Sequence, residues 1–126
     1  MKRSSAVRHL VEMAEAASED LRFRGGPTGW PLVSLWAAGE LLGSAESVED
    51  AAVMLLLDLR ADELPGIALH PTGEWVSERL RLGKRPMLWC YRPHAWPAWN
   101  ARHRRVVCFW SDRDGHDDGV LDALRD

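Results

Sequence analysis

Apolar residues recur with a helical period at the start of the chain. Val7, Leu10, Val11, Ala14, Ala17 and Leu21 fall at i, i+3, i+4, i+7, i+10 and i+14, while Arg8, Glu12, Glu15 and Glu19 take the other side. Ser4 or Ser5 supplies a cap, and Gly25 or Gly26 followed by Pro27 supplies the stop, so a helix packed on something flat is predicted over about 5–23. The pattern then changes. LVSLWAAGELL, about 32–42, has few charges and suits a strand, and GSAES reads as a turn. AAVMLLLDL, about 51–59, is a continuous apolar run that predicts a strand buried on both faces, with a buried helix as the alternative; Asp62 and Pro65 end it.

A second helical stripe follows His70-Pro71. Thr72 is placed to cap it, Trp75, Val76, Leu80 and Leu82 face inward, and Gly83 closes it. MLWCY (87–91) and RRVVCFW (104–110) predict two more strands, separated by RPHAWPAWN, where Pro93 and Pro97 exclude regular structure. Asp118 caps a last short helix, Val120–Arg125, docked through Leu121 and Leu124. The order α-β-β-α-β-β-α points to an α+β fold: one domain spanning 1–126, with a mixed or antiparallel sheet covered by helices on one side.

Composition narrows the class. With 126 residues, 46% hydrophobic and 28% charged, the chain has the balance of a globular domain, and a net charge of −3 argues against a uniformly basic DNA-coating protein. Arginine outnumbers lysine fourteen to two, glutamine is absent, and Ile67 and Asn100 are the sole residues of their kinds, a usage typical of GC-rich bacterial genomes. Two cysteines build no disulfide framework, no apolar run approaches a membrane span, and MKRSSAVRHL leads into charges, so a cytoplasmic protein without membrane contact is expected.

Charge is distributed unevenly. Between Glu78 and Asp112 there is no acidic residue, while Arg79, Arg81, Lys84, Arg85, Arg92, Arg102, Arg104 and Arg105 contribute eight positive charges, leaving −11 on the rest of a chain that totals −3. Six of the ten aromatics share the stretch: Trp89, Tyr91, Trp96, Trp99, Phe109 and Trp110. Arginine forks suit phosphate and aromatic faces accept stacked bases, so these are the parts of a single-stranded nucleic-acid or nucleotide surface. The competing account places Trp89, Phe109 and Trp110 in the core and pairs the arginines with the protein's own acids. Trp96 and Trp99 flank Pro97 in a loop and are the better ligand candidates.

The segment WAAGELLGSAESVEDAAVMLLLDL resembles the core of minimal nucleotidyltransferases, the small partners of some toxin–antitoxin pairs. That family runs a strand into a Gly-Ser turn, a second glycine and an Asp-x-Asp strand, whose two carboxylates share one face and grip Mg²⁺ with the nucleotide phosphates. The resemblance puts Gly39 at the first glycine, Gly43 at the second and Asp50 at the first aspartate. Glu40 stands in place of the serine, Ala52 in place of the second aspartate, and the glycines are one residue closer together. Glu49 adjoins Asp50 and points to the opposite face, so it is a poor substitute. The resemblance therefore implies a degenerate, non-catalytic member without a metal. The whole chain is also similar to small uncharacterised proteins of GC-rich bacteria.

Other constellations carry less. Cys90, His94, His103 and Cys108 read C-x3-H-x8-H-x4-C, which the two predicted strands could bring together but which matches no standard zinc module; strand cysteines are more simply buried. Asp112, Asp114, Asp117 and Asp118 depart from a calcium loop and read as a polar turn ending in a cap. No nucleophile elbow or phosphate-binding loop is present, His9 and His70 read as structural, and Asp58, Asp62 and Glu63 read as a strand end entering solvent.

These features support two readings. In one, a non-catalytic domain holds the phosphates of single-stranded RNA or a nucleotide through Arg85, Arg92, Arg102, Arg104 and Arg105, with Trp96 or Trp99 stacking a base. In the other, the domain is an interaction module, an antitoxin-like subunit or a homodimer, and the tryptophans anchor a protein interface. Neither reading requires a cofactor.

Overall fold

A computed structural model describes residues 1–23, 31–59, 71–99 and 103–125. Helix α1 spans Arg3–Phe23, followed by strands β1 (Leu32–Gly39) and β2 (Ala51–Leu57), helix α2 (Pro71–Arg79), strands β3 (Leu88–Pro93), β4 (Val106–Ser111) and β5 (Gly115–His116), and helix α3 (Asp118–Arg125). The strands form one sheet in the order β3-β2-β1-β4-β5. β1 lies antiparallel to both β2 and β4, β4 antiparallel to β5, and β2 parallel to β3. The fold is α+β with a mixed sheet, as the element order predicts.

One sheet face is covered by helices. Leu10, Met13, Ala14 and Ala17 of α1, Val76 of α2 and Leu121 of α3 join Leu35, Ala37, Val53, Leu55 and Leu57 of the central strands in one buried cluster. All seven β2 side chains are buried, as the continuous apolar run requires of a central strand. On the other face Ala38, Ala52 and Met54 form a smaller cluster with Trp36, Cys90 and Val106. A bulge explains two consecutive buried aromatics: Leu35 pairs with Trp110 and Trp36 with Cys108, leaving Phe109 as the extra residue, and both Phe109 and Trp110 turn inward. Trp110 Nε1 is satisfied by Ser18 Oγ of α1 at 2.8 Å. Trp89 is half-buried and stacks on Tyr91, ring centroids 6.2 Å apart.

Several boundaries differ from expectation, each for a local reason. Helix α1 begins at Arg3, so Ser4 and Ser5 lie within its first turn; the Arg3 amide bonds instead to Glu46 O at 2.6 Å. β1 stops at Gly39 rather than running to 42, because that glycine turns the chain into a tight 3-10 turn over Glu40–Leu42. Thr72 sits inside α2, and Gly83 is not its stop: Arg81 takes the left-handed conformation (φ 56) after the helix, and Gly83 falls in the next 3-10 turn. β3 runs on to Pro93, which a strand tolerates when the missing N–H is not needed for a ladder. Asp117, not Asp118, caps α3, its Oδ1 accepting from Val120 N at 3.1 Å. The two-residue β5 is too short to have a sequence signal. Gly25, Gly26, Pro27, Asp62, Glu63, Pro65, His70 and Arg102 lie outside the described residues. Among those described, no helix is long and apolar enough to cross a membrane.

In the sheet β2 and β1 separate β3 from β4. After β3, His94 N donates to Leu57 O at 2.8 Å at the end of β2, and before β4, His103 meets Asp50, the residue preceding β2. Arg92, on the same side of β3 as Cys90, donates to Trp99 O at 3.2 Å, which places Trp99 on the side of the sheet that the helices leave free.

Candidate functional site

The turn between β1 and β2 is built around one glycine. Gly39 has φ 77 and ψ −146, which favours a residue without Cβ, and a Cβ there would overlap the carbonyl oxygen of Asp50. The close approach lets Glu40 N donate to Asp50 O at 2.7 Å, while Gly43 N returns to Glu40 O at 3.1 Å. The Glu40 carboxylate accepts the amides of Glu49 and Asp50, both at 3.3 Å. Where the resembled family has a small hydroxyl, this chain thus has an acid that fastens the far end of its own turn.

Arg3 holds the same turn from beneath. It is 4% exposed, and its guanidinium donates to Ala45 O (2.7 Å), Leu41 O (2.9 Å), Glu40 O (2.9 Å) and Leu124 O (3.0 Å). Four carbonyls satisfy a buried cation that would otherwise be costly.

Asp50 faces His103, whose Nε2 lies 3.3 Å from both carboxylate oxygens. The imidazole is buried, whereas the Asp50 side chain is 36% exposed. Arg104 and Arg105 come next in the chain and are exposed; with Gly39, Glu40, Leu42, Gly43, Asp50 and His103 they line a cleft of about 450 Å³. A second groove of about 460 Å³ on the other side of the two arginines is mostly apolar, with Leu42, Val106, Val107 and Val120 among its walls. Among the described residues neither arginine has a carboxylate partner, while Glu40 and Asp50 are occupied by amides and by His103. The cleft therefore offers two available guanidinium groups beside acids that are already engaged, an arrangement suited to an anion.

The residues do not fit the divalent ion that this architecture suggests. Positions 50 and 52 share a strand face. The second is Ala52, 2% exposed and packed with Ala38 and Met54, and the carboxylate remaining of that pair, Asp50, is engaged by the His103 imidazole. A hard cation needs several oxygen ligands. Zinc fares no better: Cys90 on β3 and Cys108 on β4 are three strand spacings apart, about 14 Å. His94 Nδ1 instead contacts Leu57 O at 3.2 Å, and His103 turns to Asp50. Among the described residues no three metal-ligating side chains converge.

The basic stretch does not share one surface. Arg85 lies on the helix-covered side, 9% exposed, donating to Glu12 Oε1 at 2.8 Å and Leu80 O at 3.0 Å and touching His9 Nδ1 at 2.9 Å. Arg79 is paired with Asp20 at 2.9 Å in the same groove between α1 and α2, and Asp20 raises its pKa. Arg104 and Arg105 belong to the cleft. Arg92, Trp96 and Trp99 belong to the free face and the segment over it, with Trp96 39% and Trp99 48% exposed, as a loop position suggests. Sequence reasoning missed Arg3, the role of Glu40 and the pairing of His103 with Asp50. The substitution of Glu40 within the glycine turn was the one visible signal.

No curated protein matches the chain. A crystal structure of a protein from Sulfolobus solfataricus, described as a "putative nucleotidyltransferase", is similar over 90% of this chain and 93% of that one, with a TM-score of 0.52 at 13% sequence identity. At that identity the likeness concerns the fold alone. Residues 1–126 match the family described as "Domain of unknown function (DUF7711)", and the chain belongs to that family.

Proposed function

We propose that the chain is a non-catalytic, nucleotidyltransferase-like domain that binds a phosphate-bearing ligand, a nucleotide or single-stranded RNA, at the cleft beside the Gly39–Gly43 turn. The observation carrying this reading is the placement of Arg104 and Arg105, exposed and without a carboxylate partner among the described residues, at the rim of a cleft whose own acids are engaged. Ala52 in place of a second carboxylate removes the grip on a cation that transfer chemistry would need. Charge neutralisation falls to arginine, which stays protonated and forks onto phosphate oxygens.

The test is calorimetric titration with ATP in EDTA, at low and moderate salt. Binding that weakens with salt, is unchanged by added Mg²⁺, and is lost in Arg104→Ala/Arg105→Ala supports the reading. Binding of neither ATP nor a single-stranded RNA octamer, or binding that EDTA abolishes, overturns it.

A second reading has its own observation. Leu88 is 49% exposed on β3, near the exposed Trp96 and Trp99 in sequence, and such side chains are typical interface anchors. On this reading the domain is an interaction module that meets a protein partner or a second copy. A mass in solution above that of one chain favours it, and a clean monomer counts against it.

A further inference from the structure

We infer that the backbone amides of Glu49 and Asp50 are a second anchor for the anion bound in the cleft, and that the Glu40 carboxylate occupies them until the ligand displaces it. This rests on the proposed phosphate-binding cleft and adds to it a subsite and a residue that sets its affinity.

The Glu40 side chain is held in the manner of a bound oxyanion. Its Oε2 accepts from Glu49 N and its Oε1 from Asp50 N, both at 3.3 Å, so each oxygen takes one of two successive amides. Successive backbone N–H groups that converge on one acceptor group form an anion site, and two oxygens of a phosphate reproduce the two of a carboxylate. Both bonds are exposed and long for N–H···O contacts. Water satisfies exposed amides as well, so burial does not compel this contact and its loss costs little.

The turn keeps its shape without that carboxylate. Glu40 N donates to Asp50 O at 2.7 Å and Gly43 N to Glu40 O at 3.1 Å, while Arg3 donates to the carbonyls of Glu40, Leu41 and Ala45. These bonds use the backbone of the turn and leave its acid free to move.

Charge gives the displacement its direction. Glu40, Asp50, Arg104 and Arg105 line the same cleft, and the Asp50 carboxylate faces His103. The Glu49 side chain is exposed and is not among the cleft walls. An anion approaching the two guanidinium groups therefore competes with Glu40 for the amides and is repelled by its charge. Exchanging a single carboxylate charge on those donors favours a ligand of higher charge, so a polyphosphate, as in a nucleoside triphosphate, is the class that fits.

The experiment titrates the parent chain, Glu40→Ala and Glu40→Gln with ATP and with inorganic pyrophosphate in EDTA. Calorimetry reads the affinity, and NMR follows the Glu49 and Asp50 amide resonances. Glu40→Ala is expected to bind both probes about fivefold more tightly than the parent, the size of one exposed hydrogen-bonded contact removed from competition. Glu40→Gln keeps the shape and one acceptor oxygen without the charge, and is expected to gain less. ATP should move both amide resonances in all three proteins. If the parent binds ATP and both variants bind it no more tightly, or if bound ATP leaves the two resonances in place, the amide subsite is overturned and the arginine cleft stands. If neither the parent nor either variant binds ATP, pyrophosphate or a single-stranded RNA octamer, both readings fall.

Discussion

Arg3 Nη1 donates to the carbonyl of Leu124 at 3.0 Å, joining the first turn of α1 to the last turn of α3 across 121 positions of sequence. The same guanidinium supports the Gly39–Gly43 turn through the carbonyls of Glu40, Leu41 and Ala45. One buried side chain thus ties both ends of the chain to the rim of the candidate site. A cation near a helix C-terminus is favourable in itself, because the last carbonyls carry partial negative charge.

Arg3→Ala leaves those buried carbonyls without their donor. The expected cost is about 3 kcal/mol, since hydrogen bonds to charged groups and unsatisfied buried acceptors are each substantial. For a chain of this size that lowers the melting temperature by about 10 °C. Arg3→Lys should recover little, because three donors on one nitrogen do not reach four carbonyls arranged around a planar fork. A thermal melt in which Arg3→Ala matches the parent would show that the network adds nothing to stability.

Two glycines with positive φ make a controlled comparison. Gly39 has φ 77 and no room, since a Cβ there would strike the Asp50 carbonyl; Gly115 has φ 69 and open space around it. Gly115→Ala should cost about 1 kcal/mol, the conformational penalty alone. Gly39→Ala should cost clearly more and should also weaken ligand binding, because the clash is with backbone that positions Asp50. Equal urea midpoints for the two variants would remove the close approach from the account of the site.

How much of this was legible in the sequence depends on the range of the interaction. The α1 stripe from Val7 to Leu21 and the apolar run of β2 are local periodicities, and each found its element. Glu40 was visible as a departure from a glycine turn, but its grip on the Glu49 and Asp50 amides was not. Asp50 and His103 are 53 positions apart, and nothing between them shows that the β3–β4 connection returns to the start of β2. The Phe109–Trp110 bulge breaks the alternation that strand reading relies on. Arg85 looked like a free cation within a basic run; only the packing of α1 supplies Glu12 and His9 to receive it.

The cysteines are expected to be unreactive while the protein is folded. Burial pushes the thiol pKa of both Cys90 and Cys108 up from its ordinary value. Cys90 Sγ lies 3.5 Å from Met54 Sδ, and Cys108 Sγ donates to Trp110 O at 3.3 Å. The thiolate is the attacking form, so labelling by a disulfide reagent at pH 7 should be slow in buffer and rapid in urea. Fast labelling of either residue under native conditions would contradict the packing on the free face.

The Arg85 cluster sets a pH dependence. His9 has its pKa lowered from 6.5, first by burial and then by the charge of Arg85, so folding favours the neutral ring. Glu12 is lowered from 4.5, chiefly by its hydrogen bond from Arg85, so folding favours the carboxylate. Both native pKa values lie below the unfolded ones, so the unfolded chain binds more protons and stability falls with falling pH. The His9 contribution is complete above pH 6.5 and is lost as pH drops through its folded pKa; the Glu12 contribution is complete above 4.5 and is lost below. Glu12 is half exposed, so its share is small after solvent screening. Urea midpoints should therefore be level from pH 7 to 8 and begin to decline below about 6.5, with His9→Asn removing that first decline and leaving the acid limb. A parent protein as stable at about pH 5.5 as at about 7.5, or a His9→Asn variant with an unchanged profile, would place the titrating group elsewhere.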